Sequence, residues 1–166
     1  MNNDPWRFSI FKTDPLNISS GNVLLKIGTG ETKECPKEVV KMFGVLKEML
    51  EFDILDEDFP VDLPGVDSME HLNRVVEWCK GYLAMREPVH NRRGRDIHDF
   101  VRQKEHFEEA CRVLLKEKAV TKACYLTVVY LDIPHLLTEM NNAMCGYLAR
   151  MTPEEGDKFM GNLRLH

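Results

Sequence analysis

The apolar positions of the chain recur with two different periods, and together they predict a fold that mixes strands and helices. Short apolar runs on either side of the Ser20-Gly21-Asn22 turn are typical of two strands. The segment "FPVDLP" is short and bounded by prolines, which favours a third strand. "GTGE" at residues 28–31 predicts a turn and lacks the remaining glycines of a phosphate-binding or dinucleotide-binding loop.

Helical spacing of apolar residues marks four further segments. Residues 36–50, 69–83, 107–114 and 134–151 each place apolar side chains along one face, which predicts four amphipathic helices. Trp78 lies at the edge of its helical face, so we expect it to be only partly covered.

Two segments between these helices are less regular. Residues 84–96 are polar, locally basic and without an apolar period, so they are interpreted as a solvated loop, with a nuclear-import or phosphate-binding patch as the alternative. "VTKACYLTVVYLDI" is apolar almost all round. Its β-branched and aromatic content favours a strand, but its length does not, and periodicity leaves the choice open.

Composition and charge narrow the class of protein. With 166 residues, the chain is long enough for one domain with a substantial core. The net charge of −5 argues against nucleic-acid binding. No apolar run is long enough to span a bilayer, and the N-terminal residues lack the continuous apolar segment of a signal peptide. Five widely spaced cysteines suit reduced thiols, so we expect a cytoplasmic or nuclear protein.

The search for catalytic chemistry gives only weak candidates. His98, His106 and Cys111 lack the paired spacing of metal ligands. Cys124 and Cys145 are possible nucleophiles by residue type, but both lie in apolar stretches where inert buried thiols are commoner. We therefore predict a protein that is not an enzyme and has no cofactor and no metal.

The C-terminal region carries the strongest pattern. The stripe on residues 137–151 is rich in methionine and fits either ordinary core packing or an adaptable groove for a partner helix. Directly after it, Thr152, Pro153 and Glu155 form the signature of a helix start, with Thr152 as N-cap and Glu155 closing a capping box.

Four segments in order resemble one known family. "ISSGNVLLKI", "FPVDLPGVDSMEHLNRVVEWCK", "VVYLDIPHLL" and "MTPEEGDKF" are similar to the opening hairpin and three later motifs of the Skp-type adaptors of SCF ubiquitin ligases (the S-phase kinase-associated protein family). The second segment matches the family's Val-x-x-Trp-Cys at Val75, Trp78 and Cys79. The similarity covers roughly residues 16–166.

The resemblance implies an α+β, BTB/POZ-like fold, in which a small three-stranded sheet is flanked by helices. It implies a BTB/POZ-like Skp domain at residues 14–132 and C-terminal F-box-binding or dimerisation helices at 133–166. "VTKACYLTVVYL" then becomes a buried helix. The family's final acidic helix has no counterpart here, so this extension is expected to be truncated.

The resemblance also implies a function, that of a non-catalytic adaptor that binds an F-box protein and links it to a cullin for ubiquitin-dependent degradation. The residues expected to contact the F-box are Leu137, Met140, Met144, Tyr147, Leu148, Met151, Pro153 and Phe159. Intramolecular packing is the alternative for all of them except Pro153, whose alternative role is to start its helix.

Departures from the family pattern affect both interfaces. The family's cullin-facing Asn-Tyr pair falls on Val129 and Tyr130, so only Tyr130 is predicted to contact a cullin. Gly156 stands where the family has isoleucine, which removes an apolar anchor from the last helix. The alternative function is therefore a structural or assembly protein that self-associates as a homodimer through its POZ-like surface, without a ligase role.

Overall fold

The protein folds as a three-stranded sheet covered by helices, which confirms the α+β expectation. The computed structural model describes residues 21–52, 59–86 and 94–163. The strands are β1 (Asn22–Ile27), β2 (Thr32–Pro36) and β3 (Val61–Leu63). The helices are α1 (Lys37–Val40), α2 (Lys47–Glu51), α3 (Met69–Arg86), α4 (Gly94–Lys116), α5 (Lys118–Leu131), α6 (Pro134–Ala149) and α7 (Pro153–Met160), with 3₁₀ turns at Gly44–Leu46 and Gly161–Leu163.

The sheet has the order β2-β1-β3, with β2 antiparallel and β3 parallel to β1. The predicted turn at residues 28–31 joins β1 to β2, where Gly30 has a φ of 91° and its N–H donates to the carbonyl of Ile27 at 2.9 Å. β3 is confirmed, and the strand predicted before Gly21 lies outside the described residues. β2 was not predicted, because Cys35 is its only fully buried side chain and the apolar alternation is therefore too weak to detect.

The predicted helix at residues 36–50 is wrong as a continuous element. It is divided into α1, a 3₁₀ turn and α2. The division occurs at Gly44, whose N–H donates to the carbonyl of Asp132 at 2.8 Å. These two residues are 88 positions apart in the chain, so the local sequence pattern does not indicate the contact. Val39, Phe43 and Leu46 are nevertheless buried as the periodicity predicted, so the apolar face survives the break.

The prediction for Trp78 is also wrong, because its side chain is only 3% exposed. Tyr82 stacks on the indole with ring centroids 5.1 Å apart, and Phe107 of α4 lies at 5.7 Å. The apolar spacing within α3 carries no information about the side chains that α4 packs over Trp78.

The predicted loop at 84–96 is shorter than expected, since α3 continues to Arg86 and α4 begins at Gly94. The rest of that loop lies outside the described residues.

The ambiguous segment is a buried helix, α5, in agreement with the family resemblance. Its fully or almost fully buried side chains are Thr121, Cys124, Thr127, Val128 and Leu131. The Thr121 hydroxyl lies 2.6 Å from the carbonyl oxygen of Leu114, to which it donates, so a buried polar group is satisfied. Burial against neighbouring elements therefore overrides the strand propensity of this sequence.

One hydrophobic core extends across the predicted domain boundary at residue 132. Leu25 of β1, Leu72 of α3 and Val128 of α5 belong to the same buried cluster as Leu136 and Met140 of α6. α6 is thus built onto the sheet-containing part of the fold. None of the described helices is both long and apolar enough to cross a membrane.

Substitution of Gly44 by alanine should destabilise the fold, because a Cβ atom would lie 2.6 Å from the backbone oxygen of Asp132 and 2.4 Å from its carboxylate. We expect Gly44→Ala to lower the free energy of unfolding by roughly 1–3 kcal/mol. Urea unfolding followed by circular dichroism measures this change.

The matched control is Gly146→Ala in α6, where nothing lies within 4 Å of the added Cβ. It should raise stability by about 0.5–1 kcal/mol, since alanine is the better helix former. Equal effects of the two substitutions would contradict the close contact at Gly44.

Candidate functional site

We call the predicted F-box-binding residues of α6, α7 and their connection the C-terminal face. These residues differ in how deeply they are buried. Met140 is 0% exposed and Met144 is 4% exposed. Both side chains therefore belong to the core and are not accessible to a partner in this conformation. Leu136, which the predicted stripe omitted, is fully buried beside them. The buried side of α6 is thus turned by about one position from the predicted stripe.

Tyr147 is half-buried and serves as a link between α6 and the α4–α5 junction. Its hydroxyl donates to the carbonyl oxygen of Leu115 and lies 3.4 Å from the Thr121 hydroxyl. This side chain is held by contacts within the chain. Sequence spacing placed it on the correct helix but gave no sign of its hydrogen bonds.

α7 begins with the capping box that the sequence predicted. The N–H of Glu155 donates to the Thr152 hydroxyl at 3.2 Å, and the N–H of Thr152 donates to the Glu155 carboxylate at 3.0 Å. Pro153 occupies the first turn and is exposed. A Cβ on Gly156 would lie 3.5 Å from the Leu148 side chain, so α7 passes close to the end of α6.

Phe159 connects α7 to the beginning of α5. The ammonium groups of Lys118 and Lys122 lie 5.2 Å and 4.9 Å from the centroid of its ring. Both distances suit cation–π attraction. Because Lys118 and Lys122 are one helical turn apart, their side chains approach the same ring from one face of α5.

The accessible part of the C-terminal face is shallow. Leu137, Leu148, Met151 and Phe159 are half-buried, and Pro153 is exposed. Among the described residues, the large apolar side chains with the greatest exposure lie elsewhere, namely Val45, Phe52, Phe59, Ile97 and Val101. The C-terminal face therefore offers partly covered apolar side chains, not a deep groove.

Tyr130, the predicted cullin-contacting residue, lies half-buried near the C-terminal end of α5. Its ring packs on the turn after β3, where a Cβ on Gly65 would come within 2.2 Å of a ring carbon. Two residues further on, Asp132 ends the helix with a φ of 55° and accepts the Gly44 N–H. Two loops of the sheet-containing part are thus held against the end of α5 at Gly44 and Gly65.

The candidate metal ligands do not form a metal site among the described residues. His98 and His106 are exposed and Cys111 is half-buried, and among the described residues no three His, Cys, Asp or Glu side chains are arranged to hold a metal ion. Burial raises the pKa of Cys124 to about 11 and that of Cys35 to about 12. Cys145 is exposed.

A cavity of about 580 Å³ between α3 and α4 was not predicted from the sequence. Small side chains at Gly81, Ala84 and Ala110 line it, together with polar ones that include Asn73 and His106. Small residues at positions where two amphipathic helices meet are the sequence signal for this cavity. The period of the large apolar residues does not reveal such positions.

Comparison with protein families identifies the class to which this fold belongs. Residues 22–84 match the model of the Skp1 family, tetramerisation domain, which spans β1 to the last turn of α3. Residues 22–84 therefore form a Skp1-type, BTB/POZ-like domain, which is followed by a helical C-terminal extension. None of the curated proteins compared with the chain matches it. The family is one of protein–protein interaction and oligomerisation, which supports a general adaptor role.

Two methionines test which part of the C-terminal face is core. Met140→Ala should lower the free energy of unfolding by about 2–5 kcal/mol, since it leaves a cavity in the core. Met151→Ala removes the same atoms from a half-buried position and should cost about 1 kcal/mol or less. Thermal or urea unfolding of both variants measures the difference, and equal losses would contradict the assignment.

Thiol labelling tests the burial of the cysteines. In the native protein at about pH 8, Cys145 should react first, because Cys35 and Cys124 stay protonated when burial raises the pKa of each thiol. Mass spectrometry of peptides after timed alkylation identifies the modified residue. In denaturant all five cysteines should react, and rapid native labelling of Cys124 would contradict the structure.

Proposed function

We propose that this Skp1-type protein is a non-catalytic adaptor of an SCF-type cullin–RING ubiquitin ligase in the cytoplasm or nucleus. In this function the C-terminal face binds the F-box of a substrate receptor, and the surface around Tyr130 faces the cullin. The observation that carries the proposal is the attachment of the C-terminal helices to a Skp1-type domain through one continuous core.

The F-box side of the proposal depends on the accessible residues of the C-terminal face. Leu148 and Met151 lie where α6 ends and α7 begins, and both are half-buried in the chain alone. A partner helix that covers them would bury further apolar surface, and the flexible methionine adapts to its shape. Pro153 lies beside them at the exposed start of α7.

The cullin side of the proposal depends on the orientation of Tyr130. Packing on Gly65 limits the positions that its ring can adopt, so the side chain is already ordered before a partner binds. Val129 next to it is half-buried and apolar. A cullin surface at this position would therefore be recognised through apolar contact and the tyrosine.

An adaptor with two such surfaces acts without chemistry of its own. By holding a substrate receptor and a cullin on one scaffold, it raises the effective concentration of the substrate near the ubiquitin-charged enzyme.

Co-purification with F-box domains tests this function. A panel of F-box domains is co-expressed with the chain, and complexes are analysed by size-exclusion chromatography with light scattering. We expect a one-to-one complex with at least one member, weakened about tenfold or more by Leu148→Glu because a charge is placed in the apolar contact.

The matched control is Asn142→Glu, an equal charge on an exposed position of α6, which should bind as the unmodified chain does. Circular dichroism of both variants verifies that they are folded. A folded chain that binds no F-box domain and no cullin would overturn the proposal.

Self-association without a ligase role is the second candidate function. The matched family domain is one of tetramerisation, and two aromatic side chains within it are highly exposed, Phe52 at 71% and Phe59 at 68%. Light scattering of the chain alone distinguishes the two functions. A stable oligomer that dissociates with Phe52→Asp or Phe59→Asp and ignores F-box domains would support this candidate.

A further inference from the structure

Two lysines of α5 lie beside Phe159, at the edge of the C-terminal face. Lys118 and Lys122 extend from the first turns of α5 toward the same ring, and their ammonium groups lie 5.2 Å and 4.9 Å from its centroid. Two positive charges are therefore held at one aromatic ring, at the edge of the surface proposed to bind an F-box.

Neither ammonium group has an acidic partner among the described residues. No carboxylate in that part of the chain lies within 4.0 Å of Lys118 or Lys122. The neighbouring Glu117 is paired with Arg112 at 2.7 Å. On α7, the Glu155 carboxylate accepts the N–H of Thr152 in the capping box.

Phe159 offers these lysines only a weak partner. A cation–π contact does not neutralise the positive charge, and like charges repel each other. A carboxylate placed beside them is attracted to both and would complete the pairing that the chain itself does not supply.

We propose that Lys118 and Lys122 form a basic rim on the C-terminal face that selects a partner segment carrying aspartate or glutamate. The inference rests on the proposed function and names the chemistry of the partner, namely an F-box segment with apolar side chains on Leu148 and Phe159 and carboxylates at the two lysines. The net charge of −5 disfavours polyanions such as nucleic acid as the occupant.

The salt dependence of binding tests this rim. The dissociation constant for an F-box domain that binds the chain is measured at about 50 and about 300 mM NaCl, where screening differs strongly. For Lys118→Gln/Lys122→Gln, we expect binding at low salt to weaken about 3- to 10-fold and the difference between the two salt concentrations to shrink.

The matched control is Lys41→Gln/Lys104→Gln, which changes the net charge equally at exposed positions that have ion pairs with Glu38 and Glu108. It should leave both the affinity and its salt dependence within about twofold of the unmodified chain. Lys118→Arg/Lys122→Arg keeps the charges and should bind like the unmodified chain.

A third variant separates charge from the contact with the ring. Phe159→Leu removes the cation–π partner but leaves both lysines, so the salt dependence should remain even if the affinity changes. If Phe159→Leu abolishes the salt dependence, or if the lysine and control pairs weaken binding equally, the basic rim is overturned. An unmodified chain that binds no F-box domain overturns the proposed function and this inference with it.

Discussion

The burial of α5 is the constraint on which the rest of the structure depends. Its inward side chains Cys124, Val128 and Leu131 enter the core that also contains the sheet, α3 and α6. At its end, Asp132 adopts a left-handed conformation and accepts the Gly44 N–H, which holds the α1–α2 connection in place. This helix therefore joins the Skp1-type sheet to the C-terminal helices in one core.

The same helix separates the two proposed binding surfaces. Lys118 and Lys122 contact Phe159 at its beginning, and Tyr130 packs on Gly65 at its end. A helix of 14 residues is about 20 Å long, so the two proposed surfaces lie at opposite ends of one element. Burial of the helix fixes the separation between these two ends.

Sequence patterns predicted the positions of the helices of the C-terminal face correctly. They did not predict which side chains of that face are accessible. Met140 and Met151 carry the same side chain on the same predicted stripe, yet Met140 is in the core and Met151 is half-buried. The difference arises because α6 packs on α5 through a side that includes Leu136, and a stripe deduced from one helix carries no information about its neighbour. The predicted exposure of Trp78 was too high for the same reason, since Phe107 of α4 packs against its side chain.

The sequence by itself determined the features that depend on near neighbours in the chain. The turn at Gly30 and the capping box of Thr152 and Glu155 are closed by hydrogen bonds that span a few positions, so local residue types specify them. Only the tertiary structure decided the break at Gly44, the short strand β2 and the side of α6 that is buried. These features depend on contacts between residues far apart in the chain, and burial there outweighs local propensity.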